Sequence, residues 1–141
     1  MNYRQDPSIK FMIVLNKMMS SITHKMAPHF KALGIHETEF FVLFALDANG
    51  PMTIQEIGSK IDMTSGTMTY VIDKLEKKDY IKRVRCQEDR RRIYIELTDQ
   101  GVDFWNEIIS KHMIAMNDSF SHMTEDEMLQ LIELMKKVGK G

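Results

Sequence analysis

Residues 53–98 constrain the fold more tightly than any other stretch. "TIQEIGSKI" opens on Thr53 with Glu56 three residues later, an N-cap with its capping-box partner, and sets Ile54, Ile57 and Ile61 on one helical face. Asp62-Met63-Thr64-Ser65-Gly66 is a compact polar break, and Thr64 is the expected N-cap of the next helix. "SGTMTYVIDKLEKKDY" resumes the helical period with Met68, Val71, Ile72 and Leu75 at i, i+3, i+4 and i+7. The period then changes to two. "YIKRVRC" (80–86) and "RIYIELT" (92–98) read as strands, with Ile93, Ile95 and Leu97 on one side and Arg92, Tyr94 and Glu96 on the other. Two helices joined by a tight turn and followed at once by a hairpin make a helix-turn-helix with a wing.

Helical segments flank this unit. Residues 8–33 carry a long apolar stripe; Ser8 after Pro7 is the expected cap, Pro28 predicts a kink or break, and Gly34 ends the segment. Residues 36–48 form a short, very apolar helix closed by the turn Asn49-Gly50-Pro51. Thr98 caps a long helix reaching to about residue 120, and Thr124 with Glu127 opens a last one. The fold class is therefore mainly α with a small β-hairpin wing. A chain of 141 residues suits a single domain, 1–141. Within it, residues 36–98 form the winged unit and residues 1–35 and 99–141 supply helices. Those outer helices carry stripes that the winged unit cannot cover alone, which predicts a homodimer.

Overall charge conceals a local one. Residues 74–92 hold nine Lys/Arg against four Asp/Glu, a net of +5, so the remainder must be −6 to give the chain its −1. A cationic patch on an acidic body suits a polyanion on one face. Three of the arginines, 90–92, stand at the hairpin tip and at the root of its second strand. No apolar run approaches the ~18–20 residues needed to cross a bilayer, so no membrane partner is expected. The start "MNYRQDPSIKF" makes a poor signal peptide, and the single cysteine, Cys86, agrees with a reducing compartment; the expected location is cytoplasmic.

These placements suit double-stranded DNA. At ~100° per residue, Gly66, Tyr70, Asp73 and Lys77 lie opposite the apolar stripe of the capped helix, flanked by Thr67, Thr69 and Lys74. Such a hydroxyl-bearing face enters a major groove without clutter. Thr64, Ser65, Thr67, Thr69 and Tyr70 offer donors and acceptors to bases and phosphates, and Lys74 can follow the backbone. Arg90 and Arg91, carried on a thin loop, reach toward the adjacent minor groove. Asp89 fits as a local anchor, pairing with Arg91 or with a strand arginine so that the tip does not splay.

Asp89-Arg90-Arg91 followed by Ile93, Ile95, Leu97-Thr98 and Gly101 resembles the wing signature of MarR-type winged-helix regulators, D-x-R with L-T-x-x-G after the second strand. "TSGTMTYVIDKLEKKDYIKR" resembles that family's recognition helix running into its first wing strand, and the similarity extends over essentially the whole chain. One departure is Asp79, where the family usually has glycine in the turn after that helix. The resemblance implies a homodimeric repressor on a palindromic operator, and its detail looks most like the branch responding to quinones and catechols. It implies release from DNA by a small aromatic effector. Phe11, Met12, Phe40 and Phe44, with Phe41 and Trp105, are the candidates for lining such a pocket, although core packing competes for them.

Other readings stand beside this one. Cys86 lies among arginines that favour a thiolate, which makes a thiol-based redox sensor an alternative; a small hydrophobe at a strand end is the plainer role. Five histidines lack the i, i+4 pairing of a helical metal site, and no metal or other cofactor is expected. Neither a Ser-His-Asp arrangement nor a phosphate-binding glycine loop is present, so the chain does not read as an enzyme. An effector-independent architectural DNA binder, and a winged helix whose basic patch meets an acidic protein, are the remaining alternatives.

Overall fold

The computed structural model describes residues 2–140, with the side chain of Ser65 outside that description. A 3-10 turn at Tyr3–Gln5 precedes six helices and two strands: α1 (Pro7–Leu33), α2 (Glu37–Asn49), α3 (Ile54–Ile61), α4 (Ser65–Lys77), β1 (Ile81–Arg85), β2 (Ile93–Leu97), α5 (Asp99–Ser119) and α6 (Glu125–Gly139). Two compact units divide after Asn106, inside α5. None of the described helices is long and apolar enough to cross a membrane.

The unit up to Asn106 is organised around α4. Its stripe of Met68, Val71, Ile72 and Leu75 is buried, together with Val42, Leu43 and Leu46 of α2, Ile57 of α3, Ile81 of β1 and Ile95 of β2. Each such aliphatic side chain contributes about 1.5–3 kcal/mol when fully buried. The Thr53–Glu56 capping box closes in both directions, as expected. β1 and β2 pair antiparallel with Ile81 opposite Leu97 and Arg85 opposite Ile93. A third piece joins them: Met52 N–H donates to Ile95 O at 3.2 Å and Ile95 N–H to Met52 O at 2.7 Å. Of the apolar side of β2 only Ile95 is fully buried; Ile93, next to the tip, is exposed.

The first helix starts earlier than expected. Asp6, not Ser8, is its N-cap, and Asp6 Oδ1 accepts from the Ser8 N–H at 2.8 Å. Pro7 has no N–H to satisfy and fits the first helical position, so the cap moves one residue ahead of it. Nor does Pro28 break the helix, which runs through to Leu33. Pro28 and His24 are both exposed, so water can serve the carbonyl that the proline leaves unpaired. Gly34, at φ 70°, ends the helix with the Ile35 N–H bonded back to Phe30 O.

In the unit from Glu107 onward, the end of α5 passes through a short turn into α6, where Thr124 Oγ1 accepts from the Glu127 N–H at 3.1 Å. Leu129, Leu131, Ile132, Leu134, Met135 and Val138 of α6 are all exposed.

Candidate nucleic-acid interface

The face of α4 opposite its buried stripe is open. Gly66, Thr67, Thr69, Tyr70, Asp73 and Lys77 are exposed, with Tyr70 at 65%. Thr64 occupies the N-cap position without a side-chain cap bond. Its hydroxyl instead lies 3.2 Å from that of Thr67, so both form one hydroxyl pair at the start of the helix. The ring of Tyr70 carries the Lys74 ammonium 5.7 Å from its centroid.

The C-terminal end of α4 and the strand after it are joined by charge. Arg83 of β1 sends Nη2 to Asp73 at 2.7 Å and Nη1 to Glu76, so its fork clamps the hairpin against the helix. The hydrogen bond to Asp73 above all holds the guanidinium above its ordinary pKa. Glu39 of α2, buried, meets Lys78 at 2.6 Å and Lys74 at 3.3 Å. Lys74, expected on the phosphate backbone, keeps 42% of its side chain exposed while also reaching Glu39. Pairing thins the cationic patch: among the described residues Lys77, Arg85, Arg90 and Arg92 carry no ion pair.

The wing tip is a β-turn. Arg92 N–H donates to Asp89 O at 2.9 Å across residues 89–92, and the Cys86 N–H donates to Arg92 O at 2.9 Å to close its mouth. Asp89 Oδ1 accepts from the Arg91 backbone N–H at 3.1 Å and from Arg91 Nε at 3.3 Å. An aspartate at the first turn position that bonds the backbone two residues on is what such turns favour. Arg90 and Arg91 thus take the two central positions, and the Arg91 side chain is 93% exposed.

Gly101 explains the end of the wing motif. A Cβ there would lie 1.9 Å from Tyr80 O, so the backbone entering β1 leaves no room for a side chain. Thr98 Oγ1 accepts from the Gly101 N–H at 2.9 Å and donates to Asp79 O, tying the start of α5 to the same turn.

The aromatic cluster is partly core. Phe40 is buried against Phe30, Phe41 and Trp105, with centroids 5.2, 5.8 and 5.1 Å away. Phe44 is half exposed beside Trp105, while Phe11 and Met12 stand exposed on α1. Phe30 joins this cluster although its sequence position marks it only as one more apolar residue of the α1 stripe. His36, one of the five histidines, is the N-cap of α2 and accepts from the Thr38 N–H at 3.3 Å.

A family model described as the MarR family matches residues 35–93. The HTH-type transcriptional regulator MhqR of Bacillus subtilis (strain 168) is 36% identical over 134 residues, covering 95% of this chain and 92% of that protein. Among solved structures, a mutant of MarR from E. coli complexed with operator DNA superposes with TM-score 0.78 at 20% identity, covering 94% of this chain and 99% of that one. The PcaV transcriptional regulator from Streptomyces coelicolor, in complex with its natural ligand, gives 0.77 at 16% identity, covering 100% and 96%.

Proposed function

This chain belongs to the MarR family of DNA-binding transcriptional regulators, and on that premise we propose that it is a homodimeric repressor of a palindromic operator, released by a small phenolic or quinone-like effector. It is a regulator, not an enzyme. The observation that carries the proposal is the outward face of α4. Tyr70 is exposed opposite a buried stripe, with exposed Thr67 and Thr69 flanking it and exposed Thr64 at the N-cap, and the wing-tip arginines also point to solvent. In this reading the hydroxyls and the phenol meet base edges and phosphates in the major groove, and Arg90 and Arg91 enter the minor groove beside it. Asp89 keeps the turn in shape.

Residues 36–98 read the DNA, and residues 1–35 and 99–141 bring two copies together. The exposed apolar side chains of α1, and separately those of α6, support this. A twofold pair sets two recognition helices about 34–36 Å apart, which calls for a symmetric site. Phe11, Met12 and Phe44 remain open to a small aromatic molecule. The same fold in PcaV was solved with a natural ligand, which supports an effector here. By linkage that effector must bind the DNA-free arrangement more tightly. The setting is the cytoplasm, where a lone thiol such as Cys86 stays reduced.

Footprinting on the chain's own upstream region tests the proposal. A symmetric protected site, cleared by a phenol or quinone in the wild type and in Cys86→Ser alike, is expected. Release that requires Cys86 turns the reading to redox sensing, and a site that no such compound clears removes the effector. Arg91→Ala weakens operator binding by about 1–3 kcal/mol and leaves the thermal midpoint in place.

A further inference from the structure

Glu39 grows from α2, yet both of its carboxylate oxygens face lysines of the recognition-helix segment. Lys78 Nζ donates to Oε2 at 2.6 Å, and Lys74 Nζ lies 3.3 Å from Oε1. The acid is 2% exposed, whereas the lysine side chains are 42% and 36% exposed. This asymmetry gives the contact a direction. The ammonium groups keep part of their water and lose little by moving; the carboxylate is desolvated, and parting it from both cations strands a buried charge. A phosphate contact in high dielectric does not offset that loss. Of the three lysines at 74, 77 and 78, only Lys77 has no ion pair among the described residues.

We propose that Glu39 is a positioning residue for DNA recognition: by engaging Lys74 and Lys78 it withholds two cations from the phosphate backbone. Each lysine on a phosphate strengthens binding to every sequence equally. Withholding two lowers background binding and leaves discrimination to the Thr67, Thr69 and Tyr70 face and to the wing arginines. The proposal rests on the reading that α4 meets DNA.

Its test compares full-length wild type, Glu39→Gln, and the triple variant Glu39→Gln/Lys74→Gln/Lys78→Gln on a duplex of mixed sequence across a salt series. Glu39→Gln frees both lysines. Its log–log salt slope steepens by about 0.9 per freed lysine in each subunit, and its low-salt affinity rises on the order of tenfold. The triple variant, in which amides replace every charge of the cluster, returns to the wild-type slope. A Glu39→Gln slope equal to wild type overturns the proposal. So does a triple variant shallower than wild type, since the lysines would then already hold phosphates. Should Glu39→Gln not fold, wild type against the triple variant decides: equal slopes uphold the proposal, a shallower triple refutes it. Wild type that binds with no salt dependence is a different failure, because it removes α4 from the DNA and the proposal goes with it.

Discussion

At position 101 the chain has no room for a methyl group. The missing Cβ would fall 1.9 Å from the carbonyl oxygen of Tyr80, and that carbonyl belongs to backbone, which cannot swing aside as a side chain would. Gly101→Ala is therefore expected to lower stability by about 3 kcal/mol or more, read as a fall in the urea midpoint at unchanged m-value. Asp79 is the converse case. It sits at φ 61° in the position after α4, where the Tyr80 N–H reaches back to Leu75 O and the Asp79 N–H to Glu76 O. That is the helix-ending loop that glycine usually fills. Aspartate tolerates the left-handed region better than most residues but still carries a Cβ there. Asp79→Gly should raise stability by up to about 1 kcal/mol, and Asp79→Ala should lower it by a similar amount. Thermal melts of the three proteins check the order Gly above Asp above Ala; an Ala variant as stable as wild type would show that the turn is unstrained.

An element begins or ends where a few groups say so, and α1 shows the chemistry. Asp6 accepts from the backbone N–H of Ser8 and from its hydroxyl, and those bonds, the hydroxyl's above all, hold its carboxyl below the ordinary value of 3.8. A group depressed on folding stabilises above its unfolded pKa and loses that contribution as pH falls through the folded one. The first turn of α1 should thus be closed at neutral pH and fray in the acid range below 3.8. Amide exchange at Ile9 and Lys10 follows the fraying, and Asp6→Asn, which keeps an accepting oxygen, should remove its pH dependence. Caps of this kind are readable from sequence when only one candidate is present. Thr53, Thr98 and Thr124 each cap the helix expected of them, because the bond closes within three residues. Before α1 two candidates, Asp6 and Ser8, flank Pro7, and the ring of the proline decides between them. The outward face of α4 was legible too, since Met68, Val71, Ile72 and Leu75 leave only one side for solvent. Contacts between distant segments were not. Counting charge put Arg83, Lys74 and Lys78 in one cationic patch, whereas Asp73, Glu76 and Glu39 neutralise all three in space. Nothing in the periodicity of residues 50–52 signals that Met52 will pair with Ile95.

For the whole molecule the decisive quantity is apolar surface left in water. Ile9, Phe11, Met12, Ile13 and Val14 on α1, Met113 and Ile114 on α5, and Leu129, Leu131, Ile132, Leu134 and Met135 on α6 are exposed large hydrophobics in a single chain. Scattered apolar residues are normal on a monomer, but consecutive turns of helix exposing them are not. On α6 they fall on more than one side, as in a helix that packs between neighbours. In the proposed dimer, burying them against a second copy would give the two recognition helices a fixed separation, and one rigid pair would engage two half-sites with far higher effective concentration than two free subunits. Replacing Ile132, which is 42% exposed, by Asp puts a charge into that contact at little cost to a lone chain. The expected result in sedimentation velocity is a shift from dimer to monomer over the micromolar range. Operator affinity should fall by about a hundredfold or more, since the second half-site no longer binds within the same complex. Circular dichroism should keep the helical signal of residues 36–98, a segment that does not include Ile132. An Ile132→Asp protein that still sediments as wild type places the subunit contact elsewhere, whereas a wild type that sediments as a monomer on a footprint of one half-site removes the twofold repressor altogether.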